Sequence, residues 1–174
     1  YSFEGKSHTI ENMMSDMETL GLIVVHKGVV VYENYREGSS PQSHFTSYSL
    51  VKSLVSTLIG FAIKDGVISS VNDKLEVYLP ELANTGYAGV TIKQALQMSS
   101  GIRFDDPLKG EADDTVKWGL TAVILNNKSA FAAAHRFPRV SPPGPVFNYN
   151  TADTQILLEL LARTTTMAAA DNMS

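Results

Sequence analysis

The architecture open to this chain is narrowed first by two β-branched runs, Gly21-Leu-Ile-Val-Val25 and Val29-Val-Val-Tyr-Glu-Asn-Tyr35, joined by His26-Lys27-Gly28. Branched and aromatic side chains suit a pleated strand, and a short glycine-ending link between two such runs reads as an antiparallel hairpin. Every later apolar pattern is helical instead. Strand signals followed by helix signals predict an α+β fold rather than alternating βαβ units. A lone hairpin is marginal in water, so something else must complete that sheet.

Around the hairpin, Met13, Met14, Met17 and Leu20 fall at helical spacing, which predicts an amphipathic helix from about Ile10. Ser49 to Lys64 predicts a long helix, apolar on most sides and closed by Asp65-Gly66. A helix apolar nearly all round is expected in the interior. Thr91 is placed to cap a short helix over Ile92 to Met98 that stops near Gly101. The acidic stretch Asp105 to Asp114 reads as an exposed loop and Thr115 to Ala134 as helical. Val140-Ser-Pro-Pro-Gly-Pro145 is a rigid connector, and Thr151 to Arg163 resumes a helical pattern.

With 44% hydrophobic and 18% charged residues in 174, the composition is that of an ordinary globular chain with a real core. No apolar run reaches the roughly 18–20 residues of a membrane helix. A net charge of −4 without a basic stripe argues against nucleic acid as partner. The absence of cysteine excludes disulfides and thiolate chemistry. The four histidines have no spacing that suggests a metal site, and Asp105, Asp106, Asp113 and Asp114 read as a solvated acidic loop, so no metal or cofactor is expected. There is no Gly-x-Ser-x-Gly elbow and no glycine-rich phosphate loop.

Chemistry concentrates at Ser49-Leu50-Val51-Lys52. Residues three apart share a helix face, so the Ser49 hydroxyl and Lys52 amine can meet. A serine hydroxyl needs a neighbour to take its proton, and a lysine in an apolar helix loses solvation, which makes it a usable base. The start of a helix also offers N–H groups to a developing oxyanion.

Ser49-x-x-Lys52 at the head of an apolar helix, after a hairpin, resembles the penicillin-recognising serine hydrolases: class C-type β-lactamases, D-alanyl-D-alanine peptidases and related esterases and amide hydrolases. The resemblance runs on, in that family's order, through Asp65-Gly66-Val-Ile, Val77-Tyr-Leu-Pro-Glu-Leu82, Thr91-Ile-Lys-Gln-Ala-Leu, Met98-Ser-Ser-Gly-Ile102 and Pro143-Gly-Pro-Val-Phe-Asn-Tyr149-Asn-Thr. It implies a β-lactamase-like domain over residues 1–174. Ser49 would be the acylated nucleophile, with Lys52 and Tyr149 as its acid/base partners. Tyr149 matches the tyrosine of the family's Tyr-x-Asn motif, and Thr151, a substrate-binding position, stands where many relatives have Asn. A threonine lacks the amide's paired N–H donors, which bears on substrate positioning more than on attack.

The family's Lys-Thr-Gly or His-x-Gly strand has no counterpart after Tyr149, and His26-Lys27-Gly28 precedes Ser49 in a hairpin turn and is a decoy. The stretch from Leu161 to Ser174 resembles a mid-domain helix and its sequel. The resemblance therefore leads one to expect a domain incomplete at its C-terminus, lacking the later sheet strands. The implied substrate is a small-molecule or peptide-like acyl compound, without cofactor. The competing expectation is a non-catalytic module that retains the family's first half, and an exposed hairpin edge invites self-association or a complementing chain. A periplasmic or secreted location is favoured by the resemblance, although no leader pattern stands at Tyr1.

Overall fold

In a computed structural model, residues 2–104 and 136–165 are described; the predicted acidic loop, the Thr115 to Ala134 helix, His135 and the tail beyond Thr165 lie outside them. The chain divides between Ser47 and Tyr48 into two units.

The first unit opens with a small antiparallel pair, β1 (Ser2–Phe3) and β2 (Lys6–Ser7), which the sequence patterning did not predict. Helix α1 (Ile10–Asp16) follows, where the methionine spacing placed a helix. Thr9 and Asn12 start it with a reciprocal cap: the Thr9 hydroxyl accepts from the Asn12 N–H, and the Asn12 amide oxygen accepts from the Thr9 N–H. Strands β3 (Gly21–His26) and β4 (Val29–Tyr35) then form the expected hairpin. Its two-residue turn, Lys27-Gly28, has φ of +49° and +79°, the left-handed pair that matches the twist of the strands. Val24 pairs with Tyr32 and Val25 with Val30, leaving Val31 as a bulge residue. Ile23, Val25, Val29 and Val31 are each at least half exposed.

The second unit is helical. A single 3-10 turn, Tyr48–Leu50, runs into α2 (Val51–Lys64); α3 (Leu75–Tyr78), a 3-10 segment (Pro80–Asn84), α4 (Ile92–Leu96) and α5 (Thr151–Thr164) complete it. Helix α5 packs against α2, α3 and α4 and buries seven of its side chains, among them Ile156, Leu157 and Leu160. The core extends through Val55, Ile59, Leu75, Tyr87 and Ile92. Each large aliphatic side chain buried in this way contributes about 1.5–3 kcal/mol.

Three expectations are corrected here. Ser49 sits in the 3-10 turn just ahead of α2 rather than within the helix. Helix α2 is not enclosed: Val55, Ile59 and Ala62 are buried while Leu54 and Phe61 on its other faces are exposed, because among the described residues α5 covers only one side. And α4 ends at Leu96 rather than Met98, which has a φ of +53° that no right-handed helix accommodates. Among the described residues, no helix is long and apolar enough to cross a membrane.

Candidate active site

The nucleophile turn begins with an unusual backbone. Tyr48 has φ +44°, in the left-handed region that costs a bulky residue free energy, yet the residue is 82% exposed. That bend carries the chain into α2 with the Ser49 hydroxyl accessible. One helical turn on, the half-buried Lys52 donates from Nζ to Ser49 Oγ at 3.2 Å.

The second half of the site arrives from a hundred residues away. The connector that follows Phe137 is stitched to earlier segments: the Arg103 N–H donates to the Pro138 carbonyl, Val140 N–H to Gly101, and Gly144 N–H to Ser99. Arg139 donates to the carbonyls of Gly86 and Ala88. Further on, the Asn148 N–H donates to the Met98 carbonyl at 2.8 Å, and the Asn150 N–H to Met98 Sδ at 3.3 Å. Between those two anchors stands Tyr149. Its hydroxyl donates to Ser49 Oγ at 2.6 Å, and its ring lies with Lys52 Nζ 5.0 Å from the centroid. Thr151, the first residue of α5, accepts from Lys52 Nζ at 3.4 Å.

All four residues singled out in the sequence thus converge within one unit. Ser49 Oγ meets an amine nitrogen and a phenol at once, an arrangement suited to taking a proton from an attacking hydroxyl and returning one elsewhere. Lys52 is half-buried, so solvent reaches it more freely than an enclosed helix would allow. Thr151 bonds to Lys52 through its hydroxyl, so the residue at the motif's third position helps to hold the lysine.

A carboxyl group missed in the sequence lies just beneath. Asp153 is completely buried, and its Oδ1 accepts from Tyr87 Oη at 2.8 Å, Ser100 Oγ at 2.8 Å and Asn150 Nδ2 at 3.1 Å. Its Oδ2 is buried without a hydrogen-bond partner among the described residues. Burial pushes the Asp153 carboxyl up to about 7, against the downward pull of the Ser100 and Tyr87 hydrogen bonds. The same burial, with the carboxyl as neighbour, holds the Tyr87 phenol well above its usual range. An acid in the first turn of a helix ordinarily reads as a partner of the helix dipole. The signal that it is buried was its spacing, on the stripe of Ile156, Leu157 and Leu160.

A stability prediction follows from that carboxyl. Unfolded, an aspartate titrates near about 3.9. Between that value and about 7 the folded chain retains a proton that the unfolded chain has released. The contribution is therefore full below the unfolded value, declines as pH rises through that window, and is level above it. Asp153→Asn is expected to remove this decline. Urea midpoints at pH 5 and pH 8 should fall further for the parent than for the variant, and equal falls would contradict the assignment.

The sequence model of the Beta-lactamase family matches residues 7–174. The chain belongs to the beta-lactamase family. Among solved structures, this family member resembles a Bacillus anthracis protein assigned as a 6-aminohexanoate-dimer hydrolase, at a TM-score of 0.84 and 23% identity over 98% of this chain and 46% of that one. It also resembles a class C beta lactamase, at a TM-score of 0.68 and 17% identity over 94% of this chain and 44% of that one. A 6-aminohexanoate-dimer hydrolase of Paenarthrobacter ureafaciens is 31% identical over 97 residues, which are 56% of this chain and 24% of that enzyme. The chain thus spans less than half the length of these beta-lactamase-family relatives. Its α+β, β-lactamase-like fold agrees with the expectation drawn from the motifs.

Proposed function

We propose that the chain carries the nucleophile and proton-transfer residues of a serine hydrolase that cleaves amides through an acyl-enzyme on Ser49. The observation that carries this reading is the convergence of Lys52 Nζ and Tyr149 Oη on Ser49 Oγ, at 3.2 and 2.6 Å. In this mechanism the Tyr149 hydroxyl orients Ser49 Oγ, which attacks the carbonyl carbon while its proton passes to a deprotonated Lys52. The carbonyl then re-forms, the C–N bond breaks, and Tyr149 delivers a proton to the departing nitrogen. Lys52 returns a proton to Tyr149. Water subsequently attacks the ester, Ser49 recovers its proton, and a carboxylic acid leaves. General acid–base assistance of this kind is worth about 10²–10⁴ in rate.

The substrate class proposed is a linear amide of the 6-aminohexanoate-dimer type. Its support is the 31% identity to the Paenarthrobacter ureafaciens enzyme.

The test is intact mass after incubation with a fluorophosphonate, followed by peptide mapping. A single adduct on Ser49 is expected. An adduct elsewhere, or none on a chain shown to be folded by circular dichroism, would overturn the reading in favour of a binding module.

A further inference from the structure

We propose that Asp153 is a positioning residue that sets Tyr149 against Ser49, acting through Asn150; the proposal rests on the acyl-transfer reading above.

The Tyr149 side chain meets Ser49 and Lys52, and the backbone on either side of it sets where it stands. On one side Asn148 is fastened to the segment Met98–Phe104: its N–H donates to the Met98 carbonyl, and its side-chain amide to the carbonyls of Ile102 and Phe104 at 3.4 and 3.3 Å. On the other side stands Asn150, buried like Asp153, whose side chain does two jobs. Its oxygen caps α5 by accepting from the Ala152 N–H at 2.8 Å, and its amide nitrogen donates to Asp153 Oδ1.

Asp153 then ties that amide to two distant segments at one atom. Tyr87 belongs to the loop ahead of α4, and Ser100 lies two residues past Met98, the residue that grips the backbone on both sides of Tyr149. Three donors from three parts of the chain on one buried oxygen leave the head of α5 a single position relative to Met98–Ser100. The phenol of Tyr149, the residue ahead of Asn150, is presented from that head. A misplacement of about 1 Å in a reacting group can cost about a hundredfold in rate.

The test is the rate of fluorophosphonate labelling of Ser49 in the full chain, for Asp153→Ala, Asp153→Asn, Tyr149→Phe and Asp153→Ala/Tyr149→Phe. Asp153→Ala is expected to slow labelling about ten- to a hundredfold. Asp153→Asn, which keeps the Oδ1 acceptor, is expected to restore most of the rate. The double variant should label no more slowly than Tyr149→Phe alone, since a residue acting through Tyr149 has nothing left to position. Losses that multiply would overturn the proposal. Should Asp153→Ala fail to fold, Asn150→Gly cuts the same link while keeping a tolerable helix cap; labelling at the parental rate would be equally fatal. Should the parent itself not label, the hydrolase reading falls, and positioning is read separately from the ¹⁹F resonance of 3-fluorotyrosine at position 149. A shift toward the free-tyrosine value in Asn150→Gly supports positioning, and an unmoved resonance refutes it.

Discussion

Replacing Ser49 by alanine is expected to eliminate the phosphonate adduct and lower acyl transfer about a millionfold, and replacing Lys52 by methionine to lower it about 10²–10⁴-fold. The two losses differ because the residues do different things. Without Ser49 there is no atom to acylate. Without Lys52 the oxygen is still present at the mouth of α2, still touched by Tyr149, but lacks the amine 3.2 Å away that would take its proton. Methionine has nearly the length of lysine and no charge, so the apolar stem keeps its place. It also frees the Thr151 hydroxyl and removes the amine nitrogen beside the Tyr149 ring. Part of the Lys52→Met loss should therefore be shared with Tyr149→Phe in a double-variant cycle. A Lys52→Met variant that labels as fast as the parent would remove lysine from the mechanism.

The largest effect on stability is expected at Gly101. Its φ is +76°, and a Cβ built there would lie 2.1 Å from the Ser141 carbonyl oxygen and 3.0 Å from the carbonyl carbon. The obstacle is backbone, so no rotamer change relieves it. The Gly101 carbonyl also accepts from the N–H groups of Val140 and Ser141, which pins the connector in place. Alanine would force the left-handed strain and the displacement of this connector together, at a cost of about 3 kcal/mol or more. Thermal and urea unfolding measure this directly; a variant within about 0.5 kcal/mol of the parent would be ordinary surface behaviour and would contradict the contact. Because the displaced segment leads into Tyr149, the variant should also label more slowly at temperatures where it remains folded.

The parts of the fold legible in the sequence were those set by neighbours along the chain. Branched residues flanking Lys27-Gly28 make a hairpin whatever surrounds them, and Thr91 with Gln94 announces its own helix start. Ser49 and Lys52 were legible for the same reason, being one turn apart. Tyr149 was not legible from spacing at all and entered only through its motif resemblance, since nothing local says that a residue one hundred positions later returns to Ser49. Asp153 stayed hidden because its letter and place suit a solvated helix start, and burial depends on Tyr87 and Ser100 arriving from elsewhere. The enclosed α2 was misread because apolarity shows which faces would favour a partner and not which receive one. In the described residues, it is α5 rather than the more apolar α2 that occupies the centre.

The hundred-residue separation between Ser49 and Tyr149 has a thermodynamic meaning. Closing a loop of that size costs about 4 kcal/mol of chain entropy, whereas a hydroxyl–hydroxyl contact returns about 1 kcal/mol net. The contact at 2.6 Å cannot hold itself together. It exists because α5 is already docked on α2, and the apolar seam between those helices covers the entropic deficit of the chemistry at their ends. The nucleophile and its phenol are in this sense a dependent of the core: loosening the seam would dissolve the reactive pair while both helices were still wound.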